Sequence, residues 1–234
     1  MKKYLIISTV GDKSLHHEWI KDNPNFDLVL IYYGNNPNIA QEYINQTPHV
    51  YSAKGEKYHL IKSFIQDDIE FISKYDYIWL PDDDVDISSE NINRLFNMAK
   101  EYNLSISQPS MEGYISHEIT KPIPNSLLRY TNFVEVLAPL FNKETLLKVY
   151  NTFDLNYSSW GYDYLWPYLL NYPQNSIAII DDIIMTHTRP VGQNYSRFPK
   201  LPWNEMEELL YLHNITNYKP ITLKQIFKEN EYIF

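Results

Sequence analysis

The stretch from Lys57 to Asp84 constrains the fold of this chain more than any other part of it. Across Lys57 to Lys74 the apolar residues fall at Leu60, Ile61, Phe64, Ile65, Ile69 and Ile72 with polar residues between, which is the stripe of a helix lying on a sheet. That helix delivers the chain into Tyr77-Ile78-Trp79-Leu80, a short continuous apolar run that predicts a buried strand, and just beyond it stand Asp82-Asp83-Asp84. Three carboxylates past the C-terminal end of a strand reached by a crossover helix lie on the edge of an open α/β sheet where ligands bind.

The rest of the chain supports such a sheet. Tyr4 to Thr9 and Phe26 to Tyr33 are apolar runs that end in turn residues, Gly11-Asp12 and Gly34-Asn35-Asn36-Pro37, and each predicts a strand. A helix over Ile39 to Ile44 and a short strand over His49 to Ser52 follow. Ser88 or Ser89 caps a helix with the face Ile92, Leu95, Phe96 and Ala99, and the chain returns to the sheet at Ile106. Phe133 to Pro139 reads as a strand and Asn142 as the cap of a further helix. Trp160-Gly161-Tyr162-Asp163 opens another helix, Ser176 to Ile180 reads as a late strand, and Ile183 to His187 as its continuation or its neighbour. Residues 1–198 then make one catalytic-sized unit, and residues 199–234, with two short helix-like patches, a C-terminal helical extension packed on it.

Charge narrows the partners. With Asp and Glu outnumbering Lys and Arg the chain carries a formal net charge of −9, so a nucleic-acid backbone is not its main partner, and an anionic ligand needs a metal or a local basic pocket. The absence of cysteine removes disulfides, thiolate nucleophiles and Cys-based zinc sites. The N-terminal apolar run breaks at Ser8-Thr9 and again at Gly11-Asp12, too early for a signal-peptide core, and no window approaches the roughly 20 apolar residues of a membrane span. The expectation is a cytoplasmic protein, with room for peripheral contact at the inner face of a membrane.

The aspartate triplet has two readings. Close like charges repel by several kcal/mol at low effective dielectric, and a hard divalent cation relieves them, so Asp82 and Asp84 suit a magnesium or manganese ion that neutralises a diphosphate. A solvated acidic turn is the alternative. Thr9, Gly11 and Asp12, after the first strand, are placed for nucleotide contacts, although Gly-Asp is also a plain turn. Lys57 can contact a diphosphate, pair with an aspartate, or stand in solvent.

In order along the chain, KGEKY at Lys54 to Tyr58, YIWLPDDDV at Tyr77 to Val85, ISQPS at Ile106 to Ser110, FVEVLAPLF at Phe133 to Phe141, WGYD at Trp160 to Asp163 and AIIDDIIMTHTRPVG at Ala178 to Gly192 resemble the DUF707 proteins. These are similar in turn to GT-A glycosyltransferases. The resemblance runs from about Lys54 to Gly192, and the first fifty residues share only a generic α/β start. It implies a GT-A-like, Rossmann-like fold: a mixed, mostly parallel central sheet flanked by helices. It also implies a DxD motif at Asp82 and Asp84, with Asp84 the direct metal ligand, Asp82 a ribose or outer contact, and Asp83 facing the ribose or supporting the turn. His187 is then a further metal ligand, against the alternative of a structural histidine on an apolar strand.

The same resemblance implies that Asp163 is the base for an acceptor hydroxyl, with Trp160 as a stacking floor and Gly161 beside it; an aspartate favoured by a helix N-terminus is the other reading. Glu135 lies in an apolar run, where an unpaired carboxylate is costly, so it serves the acceptor or bridges to a cation such as Arg129, and it is the first alternative to Asp163 as the catalytic carboxylate. The implied activity is metal-dependent transfer of a sugar from a nucleotide-sugar donor, UDP-linked, to a hydroxyl of a glycan acceptor in surface polysaccharide synthesis. A catalytically silent carbohydrate-binding protein and a nucleotidyltransferase are the competing expectations.

Overall fold

The computed structural model describes residues 2–192, 195–216 and 218–228. In chain order the strands and helices are β1 (Tyr4–Val10), α1 (His16–Trp19), β2 (Phe26–Tyr32), α2 (Pro37–Gln46), β3 (His49–Ser52), α3 (Lys57–Asp67), α4 (Ile69–Ile72), β4 (Tyr77–Trp79) and β5 (Val85–Asp86). There follow α5 (Ser89–Glu101), β6 (Ile106–Gly113), β7 (Ser126–Thr131), β8 (Leu140–Asn142), α6 (Lys143–Val149), α7 (Tyr162–Leu169), β9 (Ile177–His187), α8 (Pro202–Leu212) and β10 (Thr222–Phe227).

The strands form one sheet in the order β10-β7-β9-β6-β8-β4-β1-β2-β3, with β5 paired to β9. β1 is parallel to both β2 and β4, and β2 to β3, while β8 runs antiparallel between β4 and β6. β6 and β9 are parallel to each other, and β7 and β10 close that side as antiparallel strands. The sheet is therefore mixed and mostly parallel.

Alternation along β1 explains why its residues are all apolar or small. Successive side chains point to opposite faces, so Tyr4 and Ile6 enter one core with Trp19, Leu95 and Phe96, and Leu5 and Ile7 enter the other with Ile61, Phe64 and Ile65. Each such aliphatic side chain contributes about 1.5–3 kcal/mol on burial. The second core also holds Tyr162 and Trp166 of α7 and Met206 and Leu209 of α8, so α3, α7 and α8 share one face of the sheet.

Three sequence expectations are corrected. The helix over Lys57 to Lys74 breaks at Asp68, whose side chain accepts from the Phe71 amide and starts α4. Phe133 to Pro139 is a buried loop between β7 and β8. Its peptide groups are met by other parts of the chain: the Glu135 amide donates to Gln108, the Val136 carbonyl accepts from Tyr58 and Lys57, and the Ala138 carbonyl accepts from Trp79. The second helix-like patch of the tail, around Ile226 and Phe227, is the edge strand β10 on β7. Residues 229–234 of that expected extension lie outside the described residues. Among the described residues no helix is long and apolar enough to cross a membrane.

Candidate functional site

A cleft of about 1140 Å³ opens at the C-terminal ends of β1 and β4. It gathers Thr9, Lys57, Asp82, Asp83, Asp84, Glu135, Trp160, Gly161, Asp163 and His187, which sequence spacing scatters over most of the chain. Past β4 the chain turns through Leu80-Pro81 into the aspartates, held by the Leu80 amide on the Pro139 carbonyl at 2.9 Å and the Asp82 amide on the Leu137 carbonyl at 2.9 Å.

Each aspartate meets a different cationic side chain. Lys57, the first residue of α3, donates to Asp82 at 2.6 Å and to the carbonyls of Leu137 at 2.7 Å and Val136 at 3.1 Å. Those three acceptors match the three protons of an ammonium. Burial pushes Asp82 up and Lys57 down, and the attraction between the two opposes both shifts. Asp83 accepts from the Gly11 amide at 2.7 Å, from Arg189 at 2.9 Å and from the Tyr33 hydroxyl at 3.3 Å. Burial raises its pKa, and the Gly11 amide and Arg189 hold the rise back. Asp83 thus ties the turn after β1 to the segment after β9.

Asp84 faces His187. The β5–β9 ladder sets Val85 opposite His187, and the Thr188 amide returns to the Asp84 carbonyl at 3.0 Å. His187 Nε2 lies 3.3 Å from Asp84 Oδ2, while the other carboxylate oxygen, Oδ1, is buried with no hydrogen-bond partner among the described residues. The Nδ1 of His187 is 2.7 Å from the Tyr114 carbonyl, which fixes the proton on Nδ1 in the neutral ring. The lone pair on Nε2 then faces a carboxylate, so a proton or a cation belongs between them. Burial opposes the charged ring, but Asp84 and the Tyr114 carbonyl outweigh it and the pKa of His187 goes up. Gly113, at φ +85°, permits the ladder here, since a Cβ on it would lie 2.3 Å from the His187 carbonyl oxygen.

Glu135 and Asp163 are in a different state. Both are 5% exposed, and Glu135 Oε2 and Asp163 Oδ1 are buried without a hydrogen-bond partner among the described residues. The bridge to Arg129 does not form, because Arg129 makes a two-pronged pair with Asp181 at 2.8 and 2.9 Å. Burial pushes Glu135 up to about 7, with His187 pulling it back. Burial pushes Asp163 up to about 8, with Glu135 adding to the rise and backbone amides at the start of α7 opposing it. Next to them His117 Nε2 is 3.9 Å from Asp163, and burial lowers the pKa of that ring.

The WGYD corner is set by α8. Gly161 has φ +93° at the N-cap of α7, and a Cβ there would stand 3.1 Å from both Leu209 and Met206. Glu205 of α8 is buried and accepts from the amides of Ser158 at 2.8 Å and Tyr157 at 3.3 Å. Trp160 borders the cleft and donates from Nε1 to the Tyr195 hydroxyl at 3.1 Å.

Asp12 is not brought to this cleft. Its carboxylate accepts from the Tyr32 hydroxyl and borders a separate depression with Ser14 and Tyr43. Gly11 contributes through its amide to Asp83 rather than by lining the cleft. Sequence reading missed Arg189, His117, Tyr195 and Glu205 as site residues. Arg189 stands two residues after His187 within a quoted motif, so its signal was present; Glu205, on a helix far along the chain, had none.

No curated protein matches the sequence. Among solved structures, a TarS structure from S. aureus comprising residues 1–349 aligns with 93% of this chain and 66% of its own length, at 12% identity and a TM-score of 0.58. The same portion of TarS in complex with UDP-GlcNAc aligns with 90% of this chain and 65% of its own, at 14% identity and a TM-score of 0.56. Against a longer TarS structure the figures are 91% of this chain and 43% of the other, at 14% identity and a TM-score of 0.55. The chain therefore spans less than two thirds of these TarS structures, and the likeness establishes the fold, which is GT-A-like. The match to the family described as "Protein of unknown function (DUF707)" covers residues 1–130, taking in the first fifty residues and the aspartate triplet and stopping before Glu135, Asp163 and His187. With more than half of its length so matched, the chain belongs to the DUF707 family.

Proposed function

We propose that this protein is a glycosyltransferase that takes a sugar from a nucleoside diphosphate, UDP by preference, and places it on a hydroxyl of a glycan acceptor. The observation that carries this reading is the cleft itself: an aspartate triplet at the strand ends and, in the same cavity, two buried carboxyls with unpartnered oxygens. S. aureus TarS, which shares the fold, has been crystallised with UDP-GlcNAc.

A divalent cation, manganese or magnesium, fits the residues present. Asp84 offers an unpartnered buried oxygen, and His187 turns the lone pair of Nε2 toward the same carboxylate. Among the described residues no three acidic or imidazole side chains converge to hold a cation by themselves, so the remaining ligands would be diphosphate oxygens and water. Bound there, the ion would act as a Lewis acid on the leaving diphosphate. Asp82 is committed to Lys57 and Asp83 to Arg189, which suits them to shaping the donor site more than to direct ligation.

In the transfer, the acceptor oxygen bonds to the anomeric carbon and the bond from that carbon to the diphosphate oxygen breaks, its electron pair leaving with the diphosphate. The hydroxyl proton passes to the carboxylate of Asp163. With a pKa of about 8 in the free protein, Asp163 must first lose its own proton, so kcat/KM should rise with pH and level off above that value. A single displacement with one base inverts the anomeric configuration. The product would extend a surface polysaccharide from the cytoplasmic side.

The test is thermal unfolding with UDP, GDP, ADP and CDP, each with and without manganese, on the wild type and on Asp84→Ala. A ligand that binds only the native state raises its apparent stability. Stabilisation by one nucleotide that needs manganese and disappears in Asp84→Ala is the expected result. Release of that nucleotide from its sugar conjugate then separates an enzyme from a silent binder. No shift with any nucleotide at millimolar concentration would sink the reading.

A further inference from the structure

The two ends of the cleft differ in charge balance. Asp82, Asp83 and Asp84 face Lys57, Arg189 and His187 respectively, whereas Glu135 and Asp163 have no ion pair with Lys or Arg among the described residues, and the imidazole nearest Asp163 is 3.9 Å away. Two carboxyls, each 5% exposed and each with an unpartnered oxygen, line the same cavity. Leaving such groups without a counter-charge is costly, and a ligand that supplies one recovers that cost. We propose that the acceptor brings the missing cation: the natural acceptor carries a protonated amine, as an amino sugar does, and seats it between Glu135 and Asp163 while the neighbouring hydroxyl is glycosylated.

The walls fit that occupant. Trp160, Tyr164, Tyr195 and Tyr218 line the cleft on this side, and aromatic faces attract a desolvated cation as well as stacking on a sugar ring. Tyr164 and Tyr218 pack edge to face with centroids 5.4 Å apart, and Trp160 and Tyr195 do so at 5.7 Å, so the rings are held in place before any ligand arrives. Burial raises both carboxyls, to about 7 and about 8, although His187 and Lys57 pull Glu135 the other way. A bound ammonium would return both to the ionised form, which is also the form in which Asp163 can accept the hydroxyl proton. The amine thus serves as anchor and as switch for the base.

This inference rests on the glycosyltransferase reading for the word acceptor, and the experiment separates the two. D-glucosamine, glucose and N-acetylglucosamine are titrated by calorimetry into the full chain, with and without UDP and manganese, and into the Glu135→Gln/Asp163→Asn double variant, whose folding is checked by thermal unfolding. The expected result is that glucosamine binds at least about tenfold more tightly than either neutral sugar, as a charge-assisted hydrogen bond allows. The preference should vanish in the double variant. Equal binding of the three sugars, absence of glucosamine binding, or a preference that survives the double substitution overturns the proposal. UDP binding on the same samples is scored independently: an amine preference without manganese-dependent UDP binding would keep the cation site and remove the transferase, and the reverse outcome would do the opposite.

Discussion

The end of the cleft proposed for the donor and the end proposed for the acceptor are both built on carboxylates and solve their energetics in opposite ways. At the donor end each aspartate was given a cationic partner by the fold, from α3, from β9 and from the segment after β9. At the proposed acceptor end Glu135 and Asp163 have no ion pair with Lys or Arg among the described residues, and burial raises their pKa values. The difference teaches that charge compensation by the protein marks a place where geometry must be fixed in advance, and its absence marks a place where a ligand or a proton is meant to complete the site.

The comparison breaks first at Asp163. Asp163→Asn should lower kcat by about 10²- to 10⁴-fold with nucleotide binding unchanged, read from steady-state turnover beside calorimetry with UDP. A loss confined to nucleotide affinity would place Asp163 at the donor end instead. Removing a donor-end cation should act on stability: Lys57→Met takes the ammonium from Asp82 and one donor each from the Leu137 and Val136 carbonyls, which keep the Asp82 amide and the Tyr58 hydroxyl, and is expected to cost about 2 kcal/mol by urea unfolding. Because the Asp82 side chain is 39% exposed, solvent limits that cost, and Lys57→Met/Asp82→Asn should recover part of it.

Gly113→Ala puts a Cβ against the His187 carbonyl at a left-handed backbone position, for about 1–3 kcal/mol of destabilisation, and should weaken the manganese-dependent nucleotide shift more than Asp163→Asn does. A further effect is graded with pH. Asp163 and Glu135 have folded pKa values of about 8 and about 7 against 3.8 and 4.5 for the free groups, so between those limits the folded state binds more protons than the unfolded state. Stability should therefore be greatest below about pH 4 as far as these groups are concerned, and fall as pH rises toward 8, by at most about 1.4 kcal/mol per pH unit per group. In Glu135→Gln/Asp163→Asn most of the slope should disappear from unfolding curves taken between pH 5 and 8. A residue of the same sign belongs to His187, whose raised pKa makes its contribution full below 6.5 and lost as pH climbs.

Much of this architecture was legible in the residues themselves. β1, β2 and β4 announce themselves because strands buried on both faces must be apolar throughout, and Asp82 to Asp84 announce a strand end because no core would hold them. Phe133 to Pro139 misleads for a related reason: a buried loop needs the same apolar composition as a strand, and what distinguishes it here is the supply of partners for its carbonyls from Lys57, Tyr58 and Trp79, more than fifty residues away. The pairing of Arg129 with Asp181, which releases Glu135, is equally a matter of tertiary contact. Glu205 reaches the WGYD corner only because α8 folds back on α7, and nothing within its own helix signals that.

Lys57 holds Asp82 with one proton and the carbonyls beside Glu135 with the others. On the proposed reading, one side chain is therefore a shared hinge pin between donor and acceptor recognition. On that reading, variants selected for a new donor at this position are expected to arrive with an altered acceptor preference, so the two specificities would have to be engineered together.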